Sequence, residues 1–528
     1  MSMLILPALL LAIPNAPPQG PSVKNIFDQE LAAFRLAQEP DGNYGTPLDT
    51  AHVLIAMALS PRAYREDDGP FIRRAVEWLI QETDALSLSS SCDRNFAVAF
   101  ALHALDADRY SKAIQRLRNA CPEQKDGWRF PEGLQTAASI LGELKPIDSL
   151  PTRAKICAKA ARAYYRDKKA IPPPSPKEVS QAFDQGIQYL LSSRGKSGLW
   201  EIFGHPEPGI SALAARALLA SDSKEAKEAA SVTLDFLKDL QKEDGSIHGG
   251  HLPVYVTSVA MMALAAGERP EDKAVLARAA NFLRATQSDE GESYSEGDRY
   301  FGGIGYGGDL RPDLSNLQYA LQALHDSGAT SDDPAMKRAL VFLQRSQNRS
   351  ESNPKTYKKI GSGETVRAGN DGGATYMPGD SPAGYVRLDD GSLVARSYGS
   401  MTYALLKCYI FAGLTPEDPR VEAAVQWLGH HWTLEVNPGF DTLRDSRAGF
   451  QGLYYYYLSL AEACAVAKLD ILEGSDGQEH AWRTELQAQL LKLQNEDGSW
   501  VNQYAERWWE GNPVLCTAYA LSALAKTR

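Results

Sequence analysis

The sequence predicts an all-helical chain built from repeated helix hairpins, and two observations predict this class. Segments that end an apolar-periodic helix with Gln, then acidic residues, then Gly recur along the chain, as in LAAFRLAQEPDGNYG, LDFLKDLQKEDGSIHGG, ANFLRATQSDEGESY and LKLQNEDGSWVN. Each is followed by a second helix with Ala, Leu and Tyr at helical spacing, such as VTSVAMMALAAG and CTAYALSALAK.

The two helices of a unit differ in polarity. The first is amphipathic, with apolar pairs such as Phe236 and Leu237 on one side and charges on the other. The second is apolar nearly all round, as expected of a helix that is buried on both sides. The Gly of each Asp-Gly pair allows the positive φ that ends a helix. We therefore expect the second helices to form the inner layer of a ring or a solenoid.

The units divide the chain into two parts. They begin near Asn25, Phe71, Ser111, Lys177, Lys224, Asp272, Pro334, Asp418 and Ala481. The last six units, from about Lys177 to Arg528, suffice to close a six-pair ring, and the first three form a smaller helical domain with the helix TRAKICAKAARAYYRDKK. We predict a leader over 1–24, a helical domain over 25–170, a Pro-rich linker over 171–177 and the ring over 178–528.

The net charge limits the binding partners of the protein, and the N-terminal sequence bears on its cellular location. The formal net charge of -11 argues against general nucleic-acid binding, which needs a basic face for phosphates, and it disfavours anionic lipid. The apolar run from Leu4 to Ile13 has the length of a signal peptide and is too short to span a bilayer, although no Lys or Arg precedes it. We expect an exported or periplasmic protein, with the cytoplasm as the alternative. The mature chain is expected to lack a transmembrane helix, and peripheral membrane contact stays open.

The six cysteines contain no CxxC pair. Most stand in apolar helical phases, as in ALLKCYI and LAEACAV, which is typical of small buried hydrophobic residues. If the chain is exported, Cys92 and Cys121 are the expected bridge.

The recurring segments carry a resemblance to a known family. LQNEDGSW, from Leu493 to Trp500, resembles the QW repeat of squalene-hopene cyclases, and LQKEDGSIHGG and AQEPDGNYG are similar to degenerate copies. From Asp28 onward the chain resembles the terpenoid cyclase and protein prenyltransferase superfamily, of the bacterial squalene-cyclase-like type. The resemblance implies an all-α fold, an (α/α)6 toroid with a smaller N-terminal helical domain, and a hydrophobic, isoprenoid-like small molecule as ligand. A shared fold does not by itself identify a reaction.

The acid motifs of the family are missing. Class II cyclases protonate an alkene or epoxide with a DxDD motif, whose carboxylic acid must stay protonated in an apolar cavity. No DxDD occurs here, and the strings EDDG, SDDP and LDDG have the character of solvated turns. The DDxxD motif that binds magnesium diphosphate is also missing from the sequence.

The zinc ligands of related prenyltransferases are also incomplete. Those enzymes use Asp-x-Cys at the start of one inner helix and a His at the start of a later one. Here Asp313 fits, but Ser315 replaces the thiolate and the later segment RSYGSMTYALL has no His. Because two of three ligands are lost, we expect no metal, no other cofactor and no zinc-dependent prenyltransferase activity.

Long insertions indicate where a site lies. The longest run from Asn348 to Arg396, from Ser288 to Asp313 and from Val501 to Pro513, each between an outer helix and the following inner helix. In a toroid such connections lie on one face, so we expect them to converge over one mouth of the central cavity. That mouth is lined by inner-helix N-termini, whose free N–H groups favour anions or electron-rich groups.

Asp313 is the candidate catalytic acid, because it stands at an inner-helix N-terminus and matches a position where relatives keep a functional Asp. The alternative is a helix cap paired with Arg311. The candidate substrate-binding residues are polar or aromatic residues of the same mouth: Tyr255, Tyr306, Arg311, Asn316, Tyr398, Gln451, Trp508 and Trp509. For each aromatic the alternative is core or loop packing, and in the run from Tyr454 to Tyr457 at least two must be structural because the run covers a full helical turn.

Two functions fit these observations. The first is a terpene cyclase-like isomerase or lyase acting on a polyisoprenoid or similar lipid, with Asp313 or a loop carboxylate as acid and aromatic faces stabilising cations. The second is a noncatalytic exported binding or interaction protein. The missing DxDD and the leader favour the second function, whereas the aromatic mouth and the family resemblance favour the first.

Overall fold

A computed structural model of the protein describes residues 23–85, 92–107, 109–121, 137–144, 147–169, 173–307, 311–441, 445, 447–475 and 478–528. The predicted signal peptide lies outside the described residues. The first part of the chain is helical and comprises α1 (Val23–Leu36), α2 (Pro47–Leu59), α3 (Pro70–Ala85), α4 (Cys92–Asp106), α5 (Ser111–Asn119), α6 (Ala137–Gly142) and α7 (Leu150–Lys169). Helix α2 contacts both α4 and α7 and is buried from Thr50 to Leu59 except at His52, so it forms the centre of a core separate from that of the ring.

The second part of the chain is a closed ring of helix pairs. Its outer helices are α8 (Pro176–Ser192), α10 (Lys224–Asp239), α12 (Lys273–Ala285), α14 (Pro334–Ser346), α16 (Pro419–His430) and α18 (Trp482–Leu493). Its inner helices are α9 (Pro208–Leu219), α11 (Pro253–Ala266), α13 (Leu314–Asp326), α15 (Gly399–Phe411), α17 (Leu453–Val466) and α19 (Pro513–Thr527).

The inner helices decide the topology. Neighbouring inner helices contact each other in chain order, and α19 contacts α9, so the ring closes. Each inner helix follows an outer helix that runs the other way, so the six inner N-termini share one end of the ring. The inner helices are buried on nearly all sides, as α11 shows from Val256 to Leu264. The predicted all-α fold with an (α/α)6 toroid is confirmed.

Short strands, which the sequence analysis did not predict, lie in the loops between the helices of the ring. They are β1 (Glu201–Ile202), β2 (His205–Pro206), β3 (Thr356–Lys358), β4 (Thr365–Arg367), β5 (Tyr385–Arg387), β6 (Leu393–Ala395), β7 (Leu472–Glu473) and β8 (Glu479–His480). Strands β3 to β6 form one sheet in the order β3-β4-β6-β5, with β4 and β6 parallel. This sheet folds the Asn348 to Arg396 insertion around its own buried cluster of Val366, Leu393 and Ala395.

A repeated Gln ties four of the six helix pairs of the ring to the next outer helix, and α1 of the N-terminal domain to α3. The Nε2 group of Gln241 donates to the carbonyl of Gly245 at 3.1 Å and to that of Val275, in α12, at 2.9 Å. Four other glutamines make the same two bonds, one to a turn glycine and one to the first two turns of the next outer helix: Gln38, Gln287, Gln347 and Gln494. We call this arrangement the Gln clamp. The clamp of Gln494 reaches back to Ala182 in α8 and closes the ring.

The turn glycine of the clamp has no substitute among L-residues. Gly245 has φ of +92°, and a Cβ there would lie 2.4 Å from the carbonyl oxygen of Arg278 in α12. The other turn glycines also have positive φ and abut the backbone of the next outer helix: Gly42, Gly302, Gly372 and Gly498. The clamp therefore needs both the amide of Gln and the absence of a Cβ at Gly.

An ion-pair network joins inner helices across the ring. Glu462 of α17 accepts hydrogen bonds from Lys407 of α15 and from Arg216 of α9, each at 2.7 Å. The side chains of Glu462 and Lys407 are only 3% and 1% exposed. Burial raises the pKa of Glu462, but the two cations outweigh it and lower the pKa to about 2.

The N-terminal domain docks on the ring through polar contacts. Arg396 donates from Nη1 to the carbonyl of Asp68 at 2.8 Å, and Thr433 donates from Oγ1 to the carbonyl of Pro61 at 2.9 Å. The expected bridge between Cys92 and Cys121 is present within the N-terminal domain. The other cysteines, Cys157, Cys408, Cys464 and Cys516, are buried and free, as expected.

Replacing Gln494 by Ala tests the closing clamp. The change leaves the carbonyls of Ala182 and Gly498 without their donor, so we expect the free energy of unfolding to fall by about 1–3 kcal/mol in urea titrations. The control is Gln426→Ala, at an exposed position on α16, where we expect a change below about 0.5 kcal/mol. Equal losses in the two variants would contradict the clamp.

Replacing Glu462 by Gln leaves Lys407 and Arg216 buried without a carboxylate. We expect a loss of about 3–5 kcal/mol of unfolding free energy at pH 7. Because the pKa of Glu462 is lowered from 4.5 to about 2, this stabilisation is complete above pH 4.5 and disappears as the pH falls to about 2. Glu228→Gln, which removes an exposed pair with Lys224, is the control and should change stability little. A constant difference from the wild type between pH 5 and 2.5 would show that the network is not ionised as described.

Candidate functional site

Asp313 caps the N-terminus of α13. Its Oδ1 accepts the backbone N–H of Asn316 at 2.8 Å, and its Oδ2 accepts the side-chain amide of the same residue at 2.7 Å. The residue has extended backbone angles and is 1% exposed. The capping role considered from the sequence is therefore real, and it places a buried carboxyl at the end of the ring where the inner helices begin.

Two tyrosines from two different loops surround this carboxyl. Tyr376, from the Asn348 to Arg396 insertion, and Tyr306, from the Ser288 to Asp313 loop, both lie close enough to Asp313 for its charge to raise the pKa of their phenols. The backbone N–H of Leu314 also donates to the carbonyl of Tyr376 at 2.8 Å. The structure thus brings two of the three predicted loops to the start of α13.

Burial raises the pKa of Asp313 to about 6. The two hydrogen bonds from Asn316 favour the ionised form and offset only part of this effect. Burial and the neighbouring Asp313 charge likewise raise the pKa values of Tyr306 and Tyr376, so both phenols stay protonated. Asp313 is therefore an acid that keeps its proton to just below neutral pH.

Tyr455 links the start of α13 to the third loop. Its hydroxyl lies 3.1 Å from Ser315 Oγ and accepts from Gln318 Nε2 at 3.1 Å. Its backbone N–H donates to Oε1 of Glu510, which belongs to the Val501 to Pro513 loop, at 2.8 Å. The neighbouring tyrosines Tyr454, Tyr456 and Tyr457 are buried. Only one of the four consecutive tyrosines therefore reaches this site.

The aromatic rings continue into the toroid. Tyr319 lies 5.4 Å from Tyr255 and 5.9 Å from Tyr455 between ring centroids, and Tyr455 lies 6.2 Å from Tyr519. Tyr255, Ser315 and Tyr455 are half-buried, so they keep accessible surface, whereas Tyr319 is buried behind them. The wall below Asp313 therefore presents aromatic faces, whose negative quadrupoles attract cations.

Glu510 is a second buried acid, which the sequence analysis missed. It is 1% exposed, accepts the backbone N–H of Tyr455, and receives the side-chain amide of Asn502 at 2.7 Å on its Oε2. Burial raises the pKa of Glu510 to about 7, and the hydrogen bonds from backbone N–H groups at the start of α17, which lower the pKa, offset only part of this effect. A single Glu inside a polar loop carries no periodic signal, so only its place in the Val501 to Pro513 loop pointed towards it.

Of the other residues predicted to bind substrate, some contact neighbouring side chains and some are exposed on the surface. Tyr398 is buried at the start of α15 and packs on Phe440 at 5.0 Å between ring centroids. Gln451 accepts from Arg507 at 2.8 Å. Trp508 and Trp509 are 42% and 58% exposed.

Arg311 does not pair with Asp313. It is exposed, and the described contacts of Asp313 do not include it. Of the alternative given from the sequence, the cap is present and the pairing with Arg311 is not among the described contacts, because Asn316 donates to both carboxyl oxygens.

Neither a metal site nor a membrane span is found in the described residues. No group of three or more His, Cys, Asp or Glu among them could hold a metal ion. In the same part of the chain, no helix combines the length and apolar character needed to cross a bilayer.

Comparison with known proteins identifies part of the chain. Residues 206–363 match the family model of the squalene-hopene cyclase C-terminal domain. This match confirms the resemblance to squalene-hopene cyclases over the matched segment. The matched segment runs from the end of β2 to the turn after β3 and includes Asp313, Tyr306 and Tyr255. No curated protein matches the chain.

Solved structures of similar proteins include type II terpene cyclases. MstE from Scytonema, as a variant in complex with geranylgeranyl dihydroxybenzoate, is 14% identical with a TM-score of 0.42 and covers 66% of this chain and 97% of its own. A second variant, in complex with merosterolic acid A, is 15% identical with a TM-score of 0.40 and the same coverage. The ent-copalyl diphosphate synthase from Streptomyces platensis is 15% identical with a TM-score of 0.22, and covers 60% of this chain and 87% of its own. With TM-scores below 0.5, the family match remains the finding that identifies the segment.

The pH dependence of stability tests the protonation of Asp313. Because its pKa is raised from 3.8 to about 6, its contribution to stability is complete below pH 3.8 and falls by about 1.4 kcal/mol per pH unit up to pH 6. The stability of the wild type relative to Asp313→Asn should therefore fall between pH 4 and 6 in denaturant titrations. The control is Asp418→Asn, at the cap of α16, where pairing with Arg420 lowers the pKa, so the same difference should stay constant between pH 4 and 6 and fall only below pH 3.8. Parallel stability profiles for the wild type and Asp313→Asn would mean that Asp313 is ionised throughout.

Proposed function

We propose that the protein binds a polyisoprenoid or similar lipid at the mouth of the toroid and isomerises it, with Asp313 as the acid. The observation that carries this proposal is the buried Asp313 carboxyl, which keeps its proton to about pH 6 beside a wall of tyrosines. The match to the squalene-hopene cyclase C-terminal domain over residues 206–363 supports the ligand class.

The chemistry follows from the positions of these groups. The Asp313 O–H bond breaks as its proton forms a C–H bond at a terminal alkene of the substrate, which leaves a tertiary carbocation. The tyrosine faces below stabilise that cation through their quadrupoles, and neighbouring alkenes add to it to form rings. Loss of a proton from the last cation to a base ends the reaction, so the product is an isomer of the substrate.

A second candidate is noncatalytic binding of the same class of lipid. The hydrogen bonds of Asp313 favour it, because both carboxyl oxygens already serve as acceptors in the helix cap. In this case the tyrosine wall is a binding surface and Asp313 is a structural residue.

The place of action also belongs to the proposal. We propose that the chain is exported, which the disulfide between Cys92 and Cys121 supports, because such bridges persist in oxidising compartments.

Turnover by Asp313→Asn separates the two candidates. Purified protein is incubated with squalene and with polyprenyl diphosphates, and the extracts are analysed by chromatography and mass, since a cyclised isomer has the mass of its substrate and a different retention time. We expect kcat to fall by about 10²-fold or more in Asp313→Asn and to stay within about twofold in Asp418→Asn, which keeps the mouth intact. Turnover by the wild type should also decline above pH 6, where Asp313 ionises.

Binding measured separately decides between the candidates. Tryptophan fluorescence reports ligand at the mouth, because Trp508 and Trp509 are exposed there. Binding without product in the wild type would favour the noncatalytic function. Full turnover in a folded Asp313→Asn variant would exclude Asp313 as the acid, and the lack of both binding and product would exclude this ligand class.

A further inference from the structure

A cavity lies away from the toroid mouth, where the N-terminal domain meets the sheet of strands β3 to β6. Its volume is about 310 Å³, at the lower end of the range of about 300–1,000 Å³ that is usual for small-ligand sites. Three parts of the chain form its walls: the start of α3, the strands β4 to β6 with their flanking residues, and Trp427 of α16.

The walls of this cavity are rich in charge. Four arginines and three carboxylates line it, in a chain whose net charge is -11: Arg73, Arg367, Arg387, Arg396, Asp68, Asp371 and Asp389. Two of the arginines are already paired on the sheet surface, Arg367 with Asp390 at 3.0 Å and Arg387 with Glu364 at 2.6 Å. The cations that remain for a ligand are Arg73 and Arg396.

Two of the carboxylates are also engaged. Oδ2 of Asp68 accepts the backbone N–H of Arg65 at 2.6 Å. Oδ1 of Asp371 accepts the backbone N–H of Gly373 at 2.9 Å and the hydroxyl of Ser397 at 2.8 Å. The described residues contain no group of acids and histidines that could hold a metal ion. The cavity is therefore not a cation site of the usual kind.

Arg396 is the unusual member of this set. It is only 7% exposed, and its Nη1 donates to the carbonyl of Asp68, but its buried Nε has no hydrogen-bond partner. Burial lowers the pKa of this guanidinium, and the attraction of Asp441 and Asp68 offsets only part of the effect. A buried cation is costly unless an anion lies close to it.

Arg73 supplies a second guanidinium from the N-terminal domain. It is exposed on α3, lines the same cavity, and makes no ion pair or hydrogen bond among the described contacts. Guanidinium groups present several donors in one plane and match the oxygens of phosphate in a bidentate way. A ligand held by both arginines would therefore be an oxyanion.

We propose that this cavity binds a phosphate group, free or carried by a small ester, between Arg73 and Arg396. The guanidinium of Arg396 donates to one phosphate oxygen, and the guanidinium of Arg73 donates to another. The ligand then joins the N-terminal domain to the ring, because Arg73 belongs to the first and Arg396 to the second. The site goes beyond the proposed function and shares no residue with the mouth at Asp313.

The test uses the full chain and two measurements. Thermal unfolding and titration calorimetry are followed with inorganic phosphate and with glycerol phosphate, at ionic strength held constant with sodium chloride. We expect saturable binding and a melting temperature that rises with phosphate, because a ligand that binds only the folded state stabilises it. Inorganic phosphate and glycerol phosphate distinguish a site for the free ion from one that also contacts an ester.

Three variants locate the binding. Arg73→Ala should weaken phosphate binding at least tenfold, and Arg396→Gln should abolish it. Arg74→Ala is the matched control, since Arg74 is the exposed neighbour on α3, and its guanidinium contacts Gln38 rather than the cavity. Arg73 is exposed and free of contacts, so its variant folds even if Arg396→Gln does not.

The outcomes are decisive in both directions. Loss of binding in Arg73→Ala with retention in Arg74→Ala supports the site. No saturable binding by the wild type, or equal effects of Arg73→Ala and Arg74→Ala, would overturn it and leave only an adventitious ion. Asp313→Asn should bind phosphate as the wild type does, so a failure of the proposed function at the mouth leaves this test unaffected.

Discussion

The Gln clamp is the interaction on which the ring depends. A single helix hairpin cannot bury its apolar inner helix, so each unit must be held against the next. At four of the six junctions of the ring the clamp does this, because one side-chain amide bonds two carbonyls in different units, as Gln241 does with Gly245 and Val275. The separation of Gln from its turn glycine is 4 residues for Gln241 and 25 for Gln347, yet the geometry is the same. Insertions can therefore grow inside a unit without moving its neighbours.

The pKa values of buried carboxyl groups are shifted in opposite directions at the two ends of the ring. At the mouth, Asp313 and Glu510 stand at helix N-termini, which favour a negative charge, but burial prevails and their pKa values rise to about 6 and about 7. In the network across the ring, Glu462 is equally buried, but Lys407 and Arg216 lower its pKa to about 2. The difference is the presence of cations, since Arg311 stays away from Asp313. The same fold thus holds a proton at one end and a fixed negative charge at the other.

Local sequence patterns identified some residues of the candidate site and missed others. Asp313 was found because a helix start can be read from sequence, and its capping role follows from the same position. Tyr455 was hidden among four consecutive tyrosines, since only the rotation of α17 decides which ring faces α13. Glu510 carried no pattern at all. The alternative that paired Arg311 with Asp313 is not seen among the described contacts, because closeness in sequence does not bring two side chains together when another residue, here Asn316, satisfies one of them.

The sequence by itself determined the helix hairpins, their repetition and the glycine turns, because periodicity and turn chemistry depend on residues that are neighbours in the chain. Only the tertiary structure decided that Gln494 closes the ring on Ala182, that Arg216 reaches Glu462, and that Tyr306 and Tyr376 meet at Asp313. These contacts join residues far apart in the chain. Burial and distance set their energies and pKa values, and both exist only once the inner helices have packed.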